Sequence, residues 1–310
     1  MHTLSNDEQQ AISSKTTSPF IFARASSPHA QHPERNEDYI LIDRTHGLVA
    51  VFDGVGGNTA GEVASRLAAQ TMRKNWQRML QQLQLTSGIS STIIQCGQTN
   101  LDTTMQQLLE DANQQLLIKG EQLSIALDSK QQPETTVVML ILCQHENDYA
   151  MTYAHVGDSR LYLLRENEPL HRLTSDDGYL SILLKEQTIS SADALRIDQA
   201  TRTEDLDETE HSYFAKRNGI TQSLGQHRPL DIHLGQTTLV SGDRILLCTD
   251  GIHDNLTDQE IAATLAQSGK TTVAKRLVQQ AIERSHQHDD TTIRAKADDM
   301  SALVITVVRQ

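Results

Sequence analysis

The sequence predicts an α+β fold in which antiparallel strands are covered by long helices, and three observations carry that expectation. Strand-like runs at residues 136–143, 150–156 and 160–164 are separated only by short turn-forming stretches, QHEND and Gly157-Asp158-Ser159, which favour antiparallel neighbours. Apolar residues spaced by three and four mark two long helices, one through Val63, Leu67, Met72, Trp76 and Leu83 and the other through Leu101, Met105, Leu108, Ala112 and Leu116. No heptad persists through either stripe, so both read as helices lying on a sheet and not as coiled coils. Strand and helix also fail to alternate regularly enough for a wound parallel sheet.

In chain order, residues 1–19 read as a polar leader without a basic-then-apolar signal pattern. A first strand is expected at 20–23, followed by a loop ending in RNED at 35–38 and a second strand at 39–42. Residues 48–52, LVAVF, form a short buried strand that delivers Asp53 at its open end, and the chain then turns on Gly54, Gly56 and Gly57 before a helix beginning near Asn58. If those two strands pair as a hairpin, Glu37, Asp38 and Asp53 share one end. Trp76 reads as a core residue, residues 84–98 break the helical pattern, and 119–134 are expected to loop back.

Residues 174–238 are long, charged and poor in apolar runs, with short helices near 180–185 and 192–197 and an acidic patch at Glu204, Asp205, Asp207, Glu208 and Glu210. Such an insertion reads as a flap beside the site. A buried strand at 245–248 then runs into TDGIHD, where Asp250 repeats the placement of Asp53. Helices are expected at 257–266, with Thr257 as cap and Glu260 three residues on, and at 272–285. Asp298 and Asp299 precede a last strand at 301–308, which is too apolar for an edge.

Lys and Arg total 27 against 40 Asp and Glu, a formal charge of -13, which implies no general nucleic-acid or acidic-membrane surface. Cys96, Cys143 and Cys248 are odd in number and lack C-x-x-C spacing; Cys143 and Cys248 lie in apolar runs and read as core. No membrane span is expected, and the cytoplasm is the default location. The carboxylates at element ends, Glu37-Asp38, Asp53, Asp250 and Asp298, with Asp158 between two strand-like runs, would repel one another if they converged, and bound cations would relieve that cost. An oxygen-rich site suits Mg²⁺ or Mn²⁺ better than zinc, because the sequence has no His/Cys cluster at ligand spacing. The His29/His32 and His286/His288 pairs read as solvated loop histidines.

RNED at 35–38, VFDGVGG at 51–57, Thr135-Thr136, HVGDSR at 155–160, LLCTDGIHD at 246–254 and DDMSALVIT at 298–306 form an ordered series. Over residues 20–308 it resembles the motif set of the metal-dependent protein serine/threonine phosphatases, the PPM family once called type 2C. The resemblance implies a single catalytic domain over 20–310, built as a four-layer α-β-β-α sandwich with two central antiparallel sheets flanked by helices. It further implies hydrolysis of phosphoserine or phosphothreonine on proteins by a metal-activated water, without a phosphoenzyme, by a monomer opposing a kinase. Carried over by motif, Asp53 would bridge two Mg²⁺ or Mn²⁺ ions, the carbonyl of Gly54 would hold one of them, and Asp250 and Asp298 would complete the pair. Glu37 and Asp38 would order water or help bind an ion, and Asp158 and Asp254 match the carboxylates of a possible third ion.

Five positions depart from the family pattern. Val55 stands where many members have a proton-donating His, so metal-bound water or a flap residue would have to serve, with His253 a lesser candidate. Pro33 stands where a phosphate-binding Arg is frequent, so that role passes to Arg35. Asp177 replaces His, Gln222 replaces Arg, and Asp299 replaces Asn. The competing readings are a catalytically weakened relative serving as a binding or signalling module, and a hydrolase of small phosphorylated metabolites.

Overall fold

Side-chain alternation along continuous apolar strands builds the layers of this protein. The computed structural model describes residues 18–55, 59–87, 94–97, 99–127, 132–145, 148–287 and 292–308. Most of the leader expected over 1–19 lies outside them, as do Gly56, Gly57, Asn58 and His288. The first half of the chain forms β1 (Phe20–Ser27), β2 (Tyr39–Asp43), β3 (Leu48–Phe52) and β4 (Gly54–Val55), then helices α1 (Thr59–Ser87) and α2 (Leu101–Leu127). Next come β5 (Glu134–Thr135), β6 (Val137–His145), β7 (Asp148–Val156), β8 (Arg160–Leu164) and β9 (His171–Arg172). The charged insertion holds α3 (Tyr179–Lys185), α4 (Ser191–Gln199), a 3₁₀ turn (Thr203–Asp205) and α5 (Glu208–Lys216). The chain closes with β10 (His233–Leu239), β11 (Arg244–Cys248), α6 (Asp250–His253), α7 (Asp258–Gln267), α8 (Val273–Ser285) and β12 (Met300–Val307).

Among the described residues two five-stranded sheets form, the first in the order β10-β7-β6-β3-β2 and the second in the order β1-β12-β11-β8-β9, and every pairing within them is antiparallel. In β3 every residue is buried, yet the alternation still sorts them by face. Leu48, Ala50 and Phe52 pack with α1 and α2, whereas Val49 and Val51 face the second sheet. In β12 the same rule sends Ala302 and Val304 toward α7 and α8 and sends Leu303 and Ile305 between the sheets. Three apolar layers between four structural layers make the expected α-β-β-α sandwich, with about 1.5–3 kcal/mol from each fully buried large aliphatic side chain. The last strand is internal, as expected, lying between β1 and β11.

Several local boundaries differ from the sequence reading. Strand β1 continues to Ser27, where pairing with β12 holds it, and α1 runs into the Ser- and Thr-containing stretch as far as Ser87. Helix α2 extends to Leu127, past the point where a loop was expected. Its polar residues Lys119, Glu121 and Gln122 are good helix formers, so their polarity marks a solvated face instead of a break. Helix α5 was not anticipated, because Phe214 is its buried residue and supplies no readable stripe. Cys143 is buried but is not a free thiol: it forms a disulfide with Cys96, 47 residues away, a separation that carries no local signal. Cys248 is buried and free.

Helix α7 starts as expected. Thr257 Oγ1 accepts from Glu260 N while the Glu260 carboxylate accepts from Thr257 N, at 3.3 and 2.8 Å. Trp76 on α1 is fully buried against the first sheet, and its Nε1 donates to the His46 carbonyl at 3.1 Å. Trp76→Ala is expected to cost about 3–5 kcal/mol of stability. The check is a urea titration: the midpoint should fall with an unchanged slope, and a shift below about 1 kcal/mol would show that this layer does not depend on the indole.

Candidate active site

Strand register brings the sequence-predicted carboxylates to one end of the sandwich. Tyr39 pairs with Phe52, so Asp38 and Asp53 flank the same end of the β2/β3 hairpin. Val51 pairs with Val138 and Val137 pairs with Val156, which places Asp158, two residues beyond β7, at that end as well. In the second sheet Cys248 pairs with both Arg160 and Ala302, so Asp250 after β11 and Asp298 before β12 emerge together. Asp250 opens the one-turn helix α6 and does not lie on the strand itself.

Backbone contacts hold these ends in place. The Asp53 carbonyl accepts from Thr136 N and Thr135 Oγ1, both at 2.8 Å. Gly54 N donates to the Glu37 carbonyl at 3.1 Å. A Cβ at Gly54 would lie 2.7 Å from that carbonyl and would collide with the Gly61 carbonyl of α1, so this close approach requires glycine. Thr249 Oγ1 donates to Asp38 Oδ2 at 2.9 Å and ties the two sheets together. Asp299, which stands where the family pattern has Asn, clamps the first-motif loop by accepting from His29 N at 2.6 Å and Glu37 N at 2.7 Å, and its charge adds to the burial that raises Asp38.

The electrostatics are those of a crowded anionic cluster. Burial, then Asp250, Asp38, Asp298 and Asp158, push the Asp53 carboxyl well above its ordinary value. Burial followed by a neighbouring carboxylate does the same to Asp38 and Asp158. Asp250 is raised by burial even though Lys296 works against it, and burial also raises Glu37 against the pull of Arg35. Asp254 moves the other way: burial would raise it, but Lys296 and Arg217 hold it well below the usual carboxylate range.

Lys296 is the residue that sequence reasoning missed. Its Nζ lies 2.5 Å from Asp250 Oδ2, 2.8 Å from Asp254 Oδ2 and 2.9 Å from Asp298 Oδ2. Its position two residues before Asp298 was a signal that went unread.

Among the described residues no group of three or more His, Cys, Asp or Glu side chains is arranged to hold an ion as it stands. The donors nevertheless fit a hard divalent cation. Asp38 Oδ1 and Asp250 Oδ1 are buried without a hydrogen-bond partner, the cluster is built of carboxylates, and burial together with neighbouring carboxylates raises their proton affinity.

Arg35 Nε lies 3.1 Å from Glu37 Oε1 but makes no hydrogen bond with it, so both atoms are buried without a bonding partner. His253 is a poor proton donor. Its Nε2 lies 3.1 Å from the Asp158 carbonyl and must carry the ring proton there, since a carbonyl only accepts. Burial, reinforced by Arg160, also lowers its pKa to about 4 and leaves it neutral at pH 7. His29 and His32, read as solvated, stack on each other with ring centroids 4.4 Å apart, and His32 Nδ1 is buried.

The insertion packs directly against this end. A polar cavity of about 240 Å³ is lined by Ser181, Ala194 and Asp198 from its helices and by Asp158, His253 and Asp254 from the frame. Arg160 is fully enclosed and bonds Asp176 and Asp198. The two unusual residues Asp177 and Gln222 meet each other at 2.6 Å, and Asp177 also takes Gly157 N and His233 Nε2.

The family model for protein phosphatase 2C matches residues 27–289. The chain belongs to the protein phosphatase 2C family. It is therefore a serine/threonine protein phosphatase, as the motif series implied. Protein phosphatase PhpP of Streptococcus pneumoniae is 27% identical over 240 residues, covering 74% of this chain and 78% of that protein. The serine/threonine phosphatase PstP/Ppp of Mycobacterium tuberculosis superposes with a TM-score of 0.69 at 22% identity, covering 94% of this chain and 99% of that one. A PstP catalytic domain solved with two manganese ions gives 0.64 at 23% identity, again over 94% and 99%. At these identities the superpositions establish the fold.

His253 generates a pH prediction. Above pH 6.5 the ring is neutral in both folded and unfolded chains; between 6.5 and about 4 only the unfolded chain takes the proton, so stability falls as pH drops through that window. The stability advantage of the wild type over His253→Gln should shrink by up to ~3 kcal/mol from the top of the window to the bottom. Urea denaturation in metal-free buffer measures it, and a difference that stays constant across the window would contradict a buried neutral ring.

Proposed function

We propose that this phosphatase hydrolyses phosphoserine and phosphothreonine on proteins with a water activated by two divalent ions, Mg²⁺ or Mn²⁺, and without a phosphoenzyme. The observation that carries the reading is the set of carboxylates converging on one sandwich end, with buried oxygens on Asp38 and Asp250 that lack a partner. Such ions, when bound, lower the pKa of a water and neutralise charge on phosphoryl oxygens. The two manganese ions of the PstP catalytic domain support the count and the metal class.

Asp53, the Gly54 carbonyl, Asp250 and Asp298 would hold the ions, and Glu37 and Asp38 would position water or assist one ion. The sheet ends fix these groups before substrate arrives, so little reorganisation is required when charge develops at phosphorus. Phosphate monoesters demand more than ~20 kcal/mol of acceleration, and preorganised charge is the term large enough to supply most of it. Arg35, three residues before Asp38 in the first motif, is assigned the phosphate contact. The insertion expected over about 174–238, up to the start of β10 at His233, which belongs to the central sheet, would act as the flap against which a phosphopeptide lies, with its cavity bordering Asp158 and Asp254.

We further assign the enzyme as a monomer that opposes a kinase. No helix among the described residues is long and apolar enough to cross a membrane, and the acidic balance supports neither nucleic-acid nor anionic-membrane partners. The cytoplasm is the assigned compartment. The Cys96–Cys143 disulfide pulls the other way, and in a reducing cytoplasm the pair would stand as thiols.

Manganese-dependent turnover of a phosphothreonine peptide tests the reading. Asp53→Asn is expected to lower kcat by at least on the order of 10³-fold. It should also abolish most of the manganese-induced rise in Tm, which for the wild type corresponds to about 3 kcal/mol at a hundredfold excess over Kd. Binding of manganese without turnover of any phosphopeptide would favour the binding or signalling module instead.

A further inference from the structure

The third-ion carboxylate expected from the sequence, Asp254, already has cations on both of its oxygens. Oδ2 lies 2.8 Å from Lys296 Nζ, and Oδ1 lies 3.6 Å from Arg217 Nη2 at the end of α5. Lys296 also hydrogen-bonds Asp250 Oδ2 and is ion-paired with Asp298 Oδ2, so one ammonium group meets three carboxylates. The geometry leaves the paired-ion ligands usable, because Asp250 turns only Oδ2 to the lysine while its Oδ1 stays buried without a bond. Asp298 is likewise divided, with Oδ2 on Lys296 and Oδ1 accepting from Asp299 N at 2.8 Å.

An ammonium ion at hydrogen-bond distance from three carboxylates occupies the space a divalent ion would need there, and repels any ion brought close to it. We propose that Lys296 is a tethered cation standing in for a third divalent ion at the corner formed by Asp250, Asp254 and Asp298, so that the enzyme loads two ions and no more. The inference rests on the paired-ion reading above. It gives Lys296 a positioning role: the side chain orients Asp250 and Asp298 and balances the outer carboxylate Asp254.

Equilibrium dialysis of chelator-stripped protein against manganese, with metal content per chain read by mass spectrometry, tests it. The wild type and the charge-retaining Lys296→Arg are expected to hold two ions, and Lys296→Met is expected to gain one, for three. Lys296→Gln provides the same arm should the methionine variant misfold, with near-ultraviolet circular dichroism as the folding check. A wild type that holds three ions, or a folded neutral variant that still holds two, overturns the inference while leaving the paired-ion reading intact. Asp53→Asn separates the two readings: if it retains the wild-type ion content, the paired centre itself is wrong. As a second readout, the metal-free neutral variant should melt below the metal-free wild type, and manganese should raise its Tm by more.

Discussion

Crowding several carboxylates into one partly buried end of a sandwich runs against two costs at once, desolvation and like-charge repulsion, and the surrounding structure is arranged to meet them. Asp38 and Asp53 are held side by side by the register of the β2/β3 hairpin, and two apolar layers pin that hairpin from either face. Asp299 gives its oxygens to backbone N–H groups, which partly meets its charge, although it still raises the Asp38 carboxyl beside it. Asp254 is balanced by Lys296 and Arg217. What remains uncompensated is concentrated on Asp53, Asp38, Asp158 and Asp250, whose proton affinity is raised. A site that stores negative charge in this way is set up to take cations, which is the requirement of phosphoryl chemistry carried out by an acidic protein.

Two buried arginines carry that arrangement outward to the flap. Arg160, at the start of β8, joins Asp176 and Asp198, so the first residues of the insertion and its second helix are fastened to a strand of the frame. Arg294 donates to the carbonyls of Asp198 and Ala200 on one side and of His253 and Leu256 on the other, linking the same helix to the turn that bears Asp254. Such charged bonds, made in place of water, are costly to break singly. The flap also has a small apolar centre of its own around Ile197, Leu206 and Phe214. Its acidic patch is partly spent on this local structure: Asp207 and Glu210 cap α5, Asp205 accepts from Thr201 N and Arg202 N, and Glu210 pairs with Arg196. The patch therefore presents less free negative charge to a substrate than its composition suggests.

Much of this was legible beforehand, and the reason differs from element to element. LVAVF announced a strand buried on both faces, the period of α1 and α2 announced helices on a sheet, and Thr257 with Glu260 announced where α7 begins, because each of these is a rule about near neighbours in the chain. The carboxylates were found by their positions at element ends; pairing of β2 with β3 accounts for Glu37, Asp38 and Asp53 sharing one end, whereas Asp250 and Asp298 join them from the other sheet. The disulfide was not visible, since nothing at Cys96 points to Cys143. Helix α5 was missed because its caps are acidic residues that also look like an exposed charge run.

By itself, then, the sequence determined most of the strands, the long helices, the ordered motifs and thereby the family, all properties written in periods, caps and short spacings, whereas β10, inside the charged insertion, carried no such pattern. The tertiary structure alone decided that Lys296 reaches Asp250, 46 residues back in the chain, that His253 faces a carbonyl instead of the solvent, and that Asp177 and Gln222 answer one another. These are contacts between side chains on different elements, set by sheet order and burial, and no local period encodes which distant charge a buried group will meet.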